Sequence, residues 1–118
     1  MIEADILNYL TEELDVPVIM QLPEVPSSAY PVFPPALVVI ERVGGSEADH
    51  VKTASFAFQS YGDTLYNTVA LDERVREAMS RITDTTDISG AHLASNYNFT
   101  DPETKRYRYQ CVYDIYYV

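Results

Sequence analysis

The end of the chain constrains the fold most. From Arg106 to Val118 the residues alternate. Tyr107, Tyr109, Cys111, Tyr113, Ile115 and Tyr117 fall on one side, and Arg108, Gln110, Val112, Asp114 and Tyr116 fall on the other. Alternation with period two is the signature of a strand, and aromatic and β-branched residues suit a pleated, half-buried surface. The first side is almost wholly apolar or aromatic. It is predicted to face a core beneath helices, which leaves the second side free to meet solvent or a neighbouring molecule.

The other elements follow from the same patterns. Residues 2–14 read as an amphipathic helix: Ile2, Ile6, Leu10 and Leu14 form a stripe, with Leu7 and Tyr9 beside it. Glu3 and Asp5 lie in its first turn, where the helix dipole favours anions. Val18 to Leu22 is a short strand. Ala36 to Val43 is a continuous apolar run and the clearest buried strand. Gly44-Gly45 is expected to break it, and Ser46 to His50 to form a polar connection. Thr53 to Tyr61 alternates, so these two strands are predicted to form a hairpin with a loop of about eight residues.

Asp63 is the expected N-cap of a second helix, which carries Leu65, Val69, Asp72, Val75, Met79 and Ile82 at helical spacing. Asp72, Glu73, Arg74, Arg76 and Glu77 are expected to supply its solvated, mixed-charge face. Thr83 to Asp87 ends it. Ile88 to Asn98 is a weaker strand with an irregularity at Gly90, and Asp101 to Thr104 a turn. The resulting order predicts one domain, residues 1–118. Its class is α+β: a two-layer sandwich of a mixed, mostly antiparallel sheet with two α-helices packed on one face.

Five of the seven prolines fall between Pro23 and Pro35. Proline lacks an N–H and fixes its own φ, so neither a helix nor a central strand fits there. The segment must be extended. Yet it contains Val25, Tyr30, Val32 and Phe33, so it is either tucked against its own domain or docked on a neighbour.

Composition narrows the class. With 47% hydrophobic and 22% charged residues the chain is that of an ordinary globular domain. No apolar run approaches the roughly 18 residues of a membrane span, and MIEADILNYL carries acids where a signal peptide would be positive, so no membrane partner and a cytoplasmic site are expected. The lone Cys111 rules out an internal disulfide and reads as a buried, inert thiol. The Asn98-Phe99-Thr100 glycosylation pattern has no meaning without secretion. A net charge of −10 argues against gripping nucleic acid through phosphates, although an acidic wall lets DNA slide past without sticking.

Residues with catalytic potential do not converge in sequence. His50 and His92 are far apart and lack partner motifs. Asp84, Asp87, Asp101 and Glu103 are explained by turn chemistry, and no phosphate loop, nucleophile elbow or HExxH pattern occurs. No catalytic, cofactor-binding or metal residue is expected, and no enzyme. Lys105, Arg106 and Arg108 hold three of the eight basic residues. They are too few for a nucleic-acid patch but suit either a charged rim between subunits or a solvated start to the strand.

Several segments carry a resemblance. They are DILNYLTEEL followed by VPV, the junction VVIERVGGS, the strand SFAFQSYG, the helix from Ala70 to Met79 and the block Phe99, Asp101, Pro102, Arg106, Tyr107. Together they cover most of the chain and resemble the tail-terminator, or tail-completion, proteins of long-tailed bacteriophages and prophages. The resemblance implies a mixed sheet flanked by helices, no catalysis and no cofactor.

It also implies a homo-oligomeric ring, typically a hexamer, assembled in the bacterial host cytoplasm and residing in the virion tail. The ring caps the head-proximal end of the tail tube, stops polymerisation and offers a surface for head-tail joining. Its partners would be other copies of itself, the tail tube protein and a head connector or head-closure protein, with DNA only passing through the lumen. On that reading Tyr30, Val32, Phe33, Arg106, Arg108 and Tyr116 meet the next subunit. Gly44, Gly45, Asp101, Glu103 and Lys105 reach the tube or connector, and Glu47 and Asp49 line the lumen. The proline-rich insert and the aromatic final strand depart from the family's pattern. Alternative readings are a head-closure or neck ring protein, a small non-viral α+β enzyme or ligand-binding domain, and a host protein that dimerises through its tyrosine-rich strand.

Overall fold

In the computed structural model, which describes residues 1–118 apart from the side chain of Thr85, the chain forms a two-layer α+β sandwich. Helix α1 (Ile2–Glu13) leads into β1 (Val18–Ile19), β2 (Ala36–Ala48) and β3 (Val51–Gly62). Helices α2 (Leu65–Met79) and α3 (Ile82–Thr85) follow, then β4 (Ile88–Asn98) and β5 (Tyr107–Tyr117). The sheet order is β1-β2-β3-β5-β4. Only β1 and β2 are parallel; every other pair is antiparallel.

The core lies between one sheet face and the helices. Ile6 and Leu10 from α1, and Leu71, Val75 and Met79 from α2, meet Val38, Ile40, Phe56, Phe58, Cys111 and Ile115 from the sheet. Phe56 and Phe58 are fully buried, and each such ring contributes about 1.5–3 kcal/mol by leaving water. The Tyr9 hydroxyl ties the two helices by donating to the Ala78 carbonyl at 2.6 Å. A smaller cluster of Leu37, Val39 and Tyr61 sits on the opposite sheet face and is capped by Ile19 and Phe33.

The hairpin differs from expectation. Gly44-Gly45 does not break β2; the strand runs on to Ala48, and Glu47 pairs with Lys52. A register shift between Arg42 and Gly44 absorbs the irregularity as a bulge. The turn is Asp49-His50, with φ of 51° and 67°. Two successive left-handed residues make the primed turn whose twist matches a tight hairpin. The expected loop of about eight residues is therefore mostly strand. The short β1 also ends sooner than the expected Val18–Leu22, because the chain bends at Met20.

Helix α2 is capped by Thr64, not Asp63: the Thr64 Oγ1 accepts from the Asn67 N–H at 3.0 Å. Asp63, one residue earlier, accepts instead from the Asn67 side chain at 2.8 Å. The helix also ends at Met79, and Ile82 belongs to α3. Its buried stripe is Thr68, Leu71, Asp72, Val75, Ala78 and Met79, with Leu65 43% exposed. Gly62 permits the close approach of Thr68: a Cβ there would lie 2.8 Å from the Thr68 nitrogen.

On β5 the helices cover only the centre. Cys111, Tyr113 and Ile115 are buried as expected, but Tyr109 and Tyr117 are half-buried and Tyr107 is 40% exposed. The irregularity at Gly90 is present as a register shift between Ile88 and Gly90, with a second between Leu93 and Ser95.

Candidate interaction surfaces

The sheet face away from the helices is built of polar and aromatic side chains bonded to one another across strands. Gln59 on β3 donates to Gln110 on β5 at 2.9 Å and to Glu41 on β2 at 3.4 Å. Gln110 in turn bonds the Tyr97 hydroxyl on β4. Nearby, Ser55 donates to the Asp114 carboxylate at 2.7 Å, and His92 packs edge-on against Tyr116, their rings 5.4 Å apart. A side chain held by its neighbours has already lost its rotamer entropy. Such a face meets a partner at lower cost than a mobile one.

One end of this face is basic and aromatic. The Arg106 guanidinium sits 3.9 Å from the centre of the Phe33 ring, and that ring packs edge-on against Tyr61 at 5.6 Å. Arg108 lies over Phe99 at 4.1 Å, donates to the Phe99 carbonyl at 2.7 Å and reaches the Tyr61 hydroxyl at 3.2 Å. Phe33, Pro34, Pro35, Tyr61, Asp63 and Arg106 border a cleft of about 390 Å³. Stacking on aromatic faces orients these guanidinium groups while leaving donors free.

The structure thus brings Phe33, Arg106 and Arg108 together. It leaves Val32 70% exposed, Tyr30 half-buried, and Tyr116 on the same outer face further along β5. The proline-rich segment is tucked against its own domain through Phe33 and open to others through Val32. At the turn, the Asp101 carboxylate accepts from the Glu103 N–H at 3.0 Å and the Thr104 hydroxyl at 2.8 Å. These bonds hold its carboxyl below the usual range, the backbone bond from Glu103 first. Asp101 therefore orders its own turn, while Glu103 and Lys105 are exposed. Glu47 and Asp49 stand exposed at the hairpin end, and Gly44 and Gly45 lie in strand β2 rather than in a loop.

The sequence put Asp72 at helical spacing with the apolar stripe and also among the charges of the solvated face; in the structure it is fully buried. Its carboxylate accepts from Arg76 Nε at 3.0 Å and from Asn96 Nδ2 at 3.0 and 3.1 Å. The signal was its phase: Asp72 falls between Thr68 and Val75 on the buried stripe. Burial, and then the Asp72 charge, push the Cys111 thiol up and out of reactive range. Among the described residues no cluster of three His, Cys, Asp or Glu side chains is disposed to hold a metal ion.

Among the described residues no helix is long and apolar enough to cross a membrane. The chain matches no known protein-family model and no curated protein sequence.

Proposed function

We propose that this is a structural virion protein, a tail terminator. It closes into a ring on the head-proximal end of a phage tail tube, stops tube growth and presents a surface for the head connector. The observation that carries this reading is the two-sidedness of the sheet. One face is sealed by α1 and α2, and the other is an open, internally hydrogen-bonded surface. An end cap needs two unlike sides, one matching the growing tube end and one that does not, or growth would continue. Repetition of an unlike contact around a closed rotation produces a ring, not a filament.

Further support comes from the Phe99–Tyr107 block that carries the resemblance. It folds into an ordered turn joined to the basic, aromatic end. In this reading Tyr30, Val32, Phe33, Arg106, Arg108 and Tyr116 contribute to subunit contacts. Gly44, Gly45, Asp101, Glu103 and Lys105 approach the tube or the connector. Glu47 and Asp49 at the hairpin end face the lumen, where their charge repels passing DNA. The role is mechanical, with no cofactor and no bond-making step.

The test is electron microscopy of particles assembled without this protein. Overlong or headless tails are expected. Normal tails joined to heads and normal infectivity would refute the role.

A further inference from the structure

Two edges of the sheet are left open, and neither is charged. In a chain of net charge −10, the strand Ile88–Asn98 contains no Asp, Glu, Lys or Arg, and neither does the stretch Val16–Leu22 around β1. Strand β4 pairs only with β5, and β1 only with β2. Each therefore carries a row of backbone donors and acceptors with no strand beside it among the described residues. Natural edge strands are ordinarily blunted by shortness, bulges, lysine, proline or inward charge. Here β4 has two bulges and β1 is two residues long beside Pro17, but neither edge carries a charge, and β4 exposes Leu93 at 47% and Tyr97 at 41%. The opposite edge exposes Met20 at 43% and Leu22 at 45%.

The two edges also fit one another. Ile19, Val39, Gln59, Gln110 and Tyr97 are successive partners in a single row across all five strands. Ile19 and Tyr97 therefore stand at the same height on opposite edges. Because β1 is parallel to β2 and each later neighbour is antiparallel, β1 and β4 run in opposite directions. A second copy set alongside in the same orientation presents its β1 edge antiparallel to β4, the favoured pairing.

We infer that copies of this chain join edge to edge, with β4 of one meeting β1 and the following Met20–Leu22 of the next. The inference rests on the ring reading above and adds a strand-edge contact to the subunit-contact residues named there. An identical copy is the occupant because its β1 edge stands at the same height as β4, runs antiparallel to it and is likewise uncharged, so the two edges meet without like-charge cost. The edges differ, so the contact is heterologous and repeats from copy to copy until the rotation closes.

Cross-linking tests the contact. Gln21→Cys and Ser95→Cys place thiols at exposed positions on the two edges, and the buried Cys111 supplies no competing thiol. With a short bis-maleimide the double variant is expected to form a ladder of covalent multimers up to the mass of the closed ring. Each single variant is expected to stay at monomer mass. Native mass spectrometry of the unmodified protein reports the ring independently. A ring without a ladder would overturn the edge contact and leave the ring reading standing. Dimers from Ser95→Cys alone would overturn it in favour of a two-fold β4 pairing. Neither ring nor ladder would overturn both.

Discussion

The carboxylate of Asp72 on α2 is bonded to the side-chain amide of Asn96 on β4, its two oxygens 3.1 and 3.0 Å from Nδ2. This pair anchors the helix layer to an edge strand that is otherwise mostly exposed. Asn96 also donates to the Gln110 carbonyl on β5, at 3.2 Å, so one amide links three elements. Replacing Asp72 by Ala leaves Arg76 without its acceptor and Asn96 with only the Gln110 carbonyl. Arg76 still reaches water, its side chain being 31% exposed, so the loss is expected to be about 1.5–3 kcal/mol, as for hydrogen bonds to a charged group. Urea unfolding of Asp72→Ala measures it, and an unchanged midpoint would contradict the anchoring role.

Gly62 is expected to tolerate no side chain. A Cβ there would lie 2.5 Å from Thr68 Oγ1 and 2.8 Å from the Thr68 backbone nitrogen. The hydroxyl can rotate away, but the backbone must shift. Gly62→Ala is expected to cost about 1–3 kcal/mol through overpacking. Thermal unfolding followed by circular dichroism gives the value.

Phe33 is the residue that holds the proline-rich segment down. Phe33→Ala removes its contacts with Tyr61 and Arg106 and leaves the core between sheet and helices untouched. Faster proteolytic cleavage between Leu22 and Pro35 is expected, with global stability lowered by less than the roughly 3–5 kcal/mol typical of a fully buried phenylalanine. Limited proteolysis beside an unfolding curve separates the two effects.

Stability is expected to fall in alkali. Burial, and then the neighbouring Cys111, push Tyr113 up to about 12 from its ordinary 10.0, and burial pushes Cys111 up as well. A group raised in the folded state binds its proton more tightly there than in the unfolded chain. Its contribution is whole below the unfolded value and is lost as pH rises through the interval up to the folded one. Unfolding midpoints should therefore be flat with respect to Tyr113 below pH 10.0 and decline from there towards about 12. Tyr113→Phe should flatten the decline. A midpoint that is constant to pH 12 would contradict the burial of these groups.

The layers of this fold were legible because its patterns are local. The alternation of β5, the apolar run of β2 and the stripe Ile2, Ile6, Leu10 each specify a face, and the core assembles from those faces. What was not legible depended on partners distant in sequence. Asp72 looks like a surface residue until Asn96 and Arg76 surround it. The glycine pair at 44–45 looks like a break until the bulge after Arg42 shifts the register and lets the ladder run on to Ala48. Tyr107 alternates correctly with the core residues, but the helices do not extend far enough to cover it. Among the interaction residues, the basic cluster was visible as a run of charge. Its pairing with Phe33 was not, because it depends on how the proline-rich segment folds back.

Position on the particle tests the central claim most directly. If the proposed role holds, antibody raised to this protein and coupled to gold should mark intact and headless tails of a phage or prophage carrying its gene. The expected result is a single cluster of gold at the head-proximal end of every tail. Gold spread along the tube, gold at the distal tip, or unlabelled tails would contradict a ring that caps the tube.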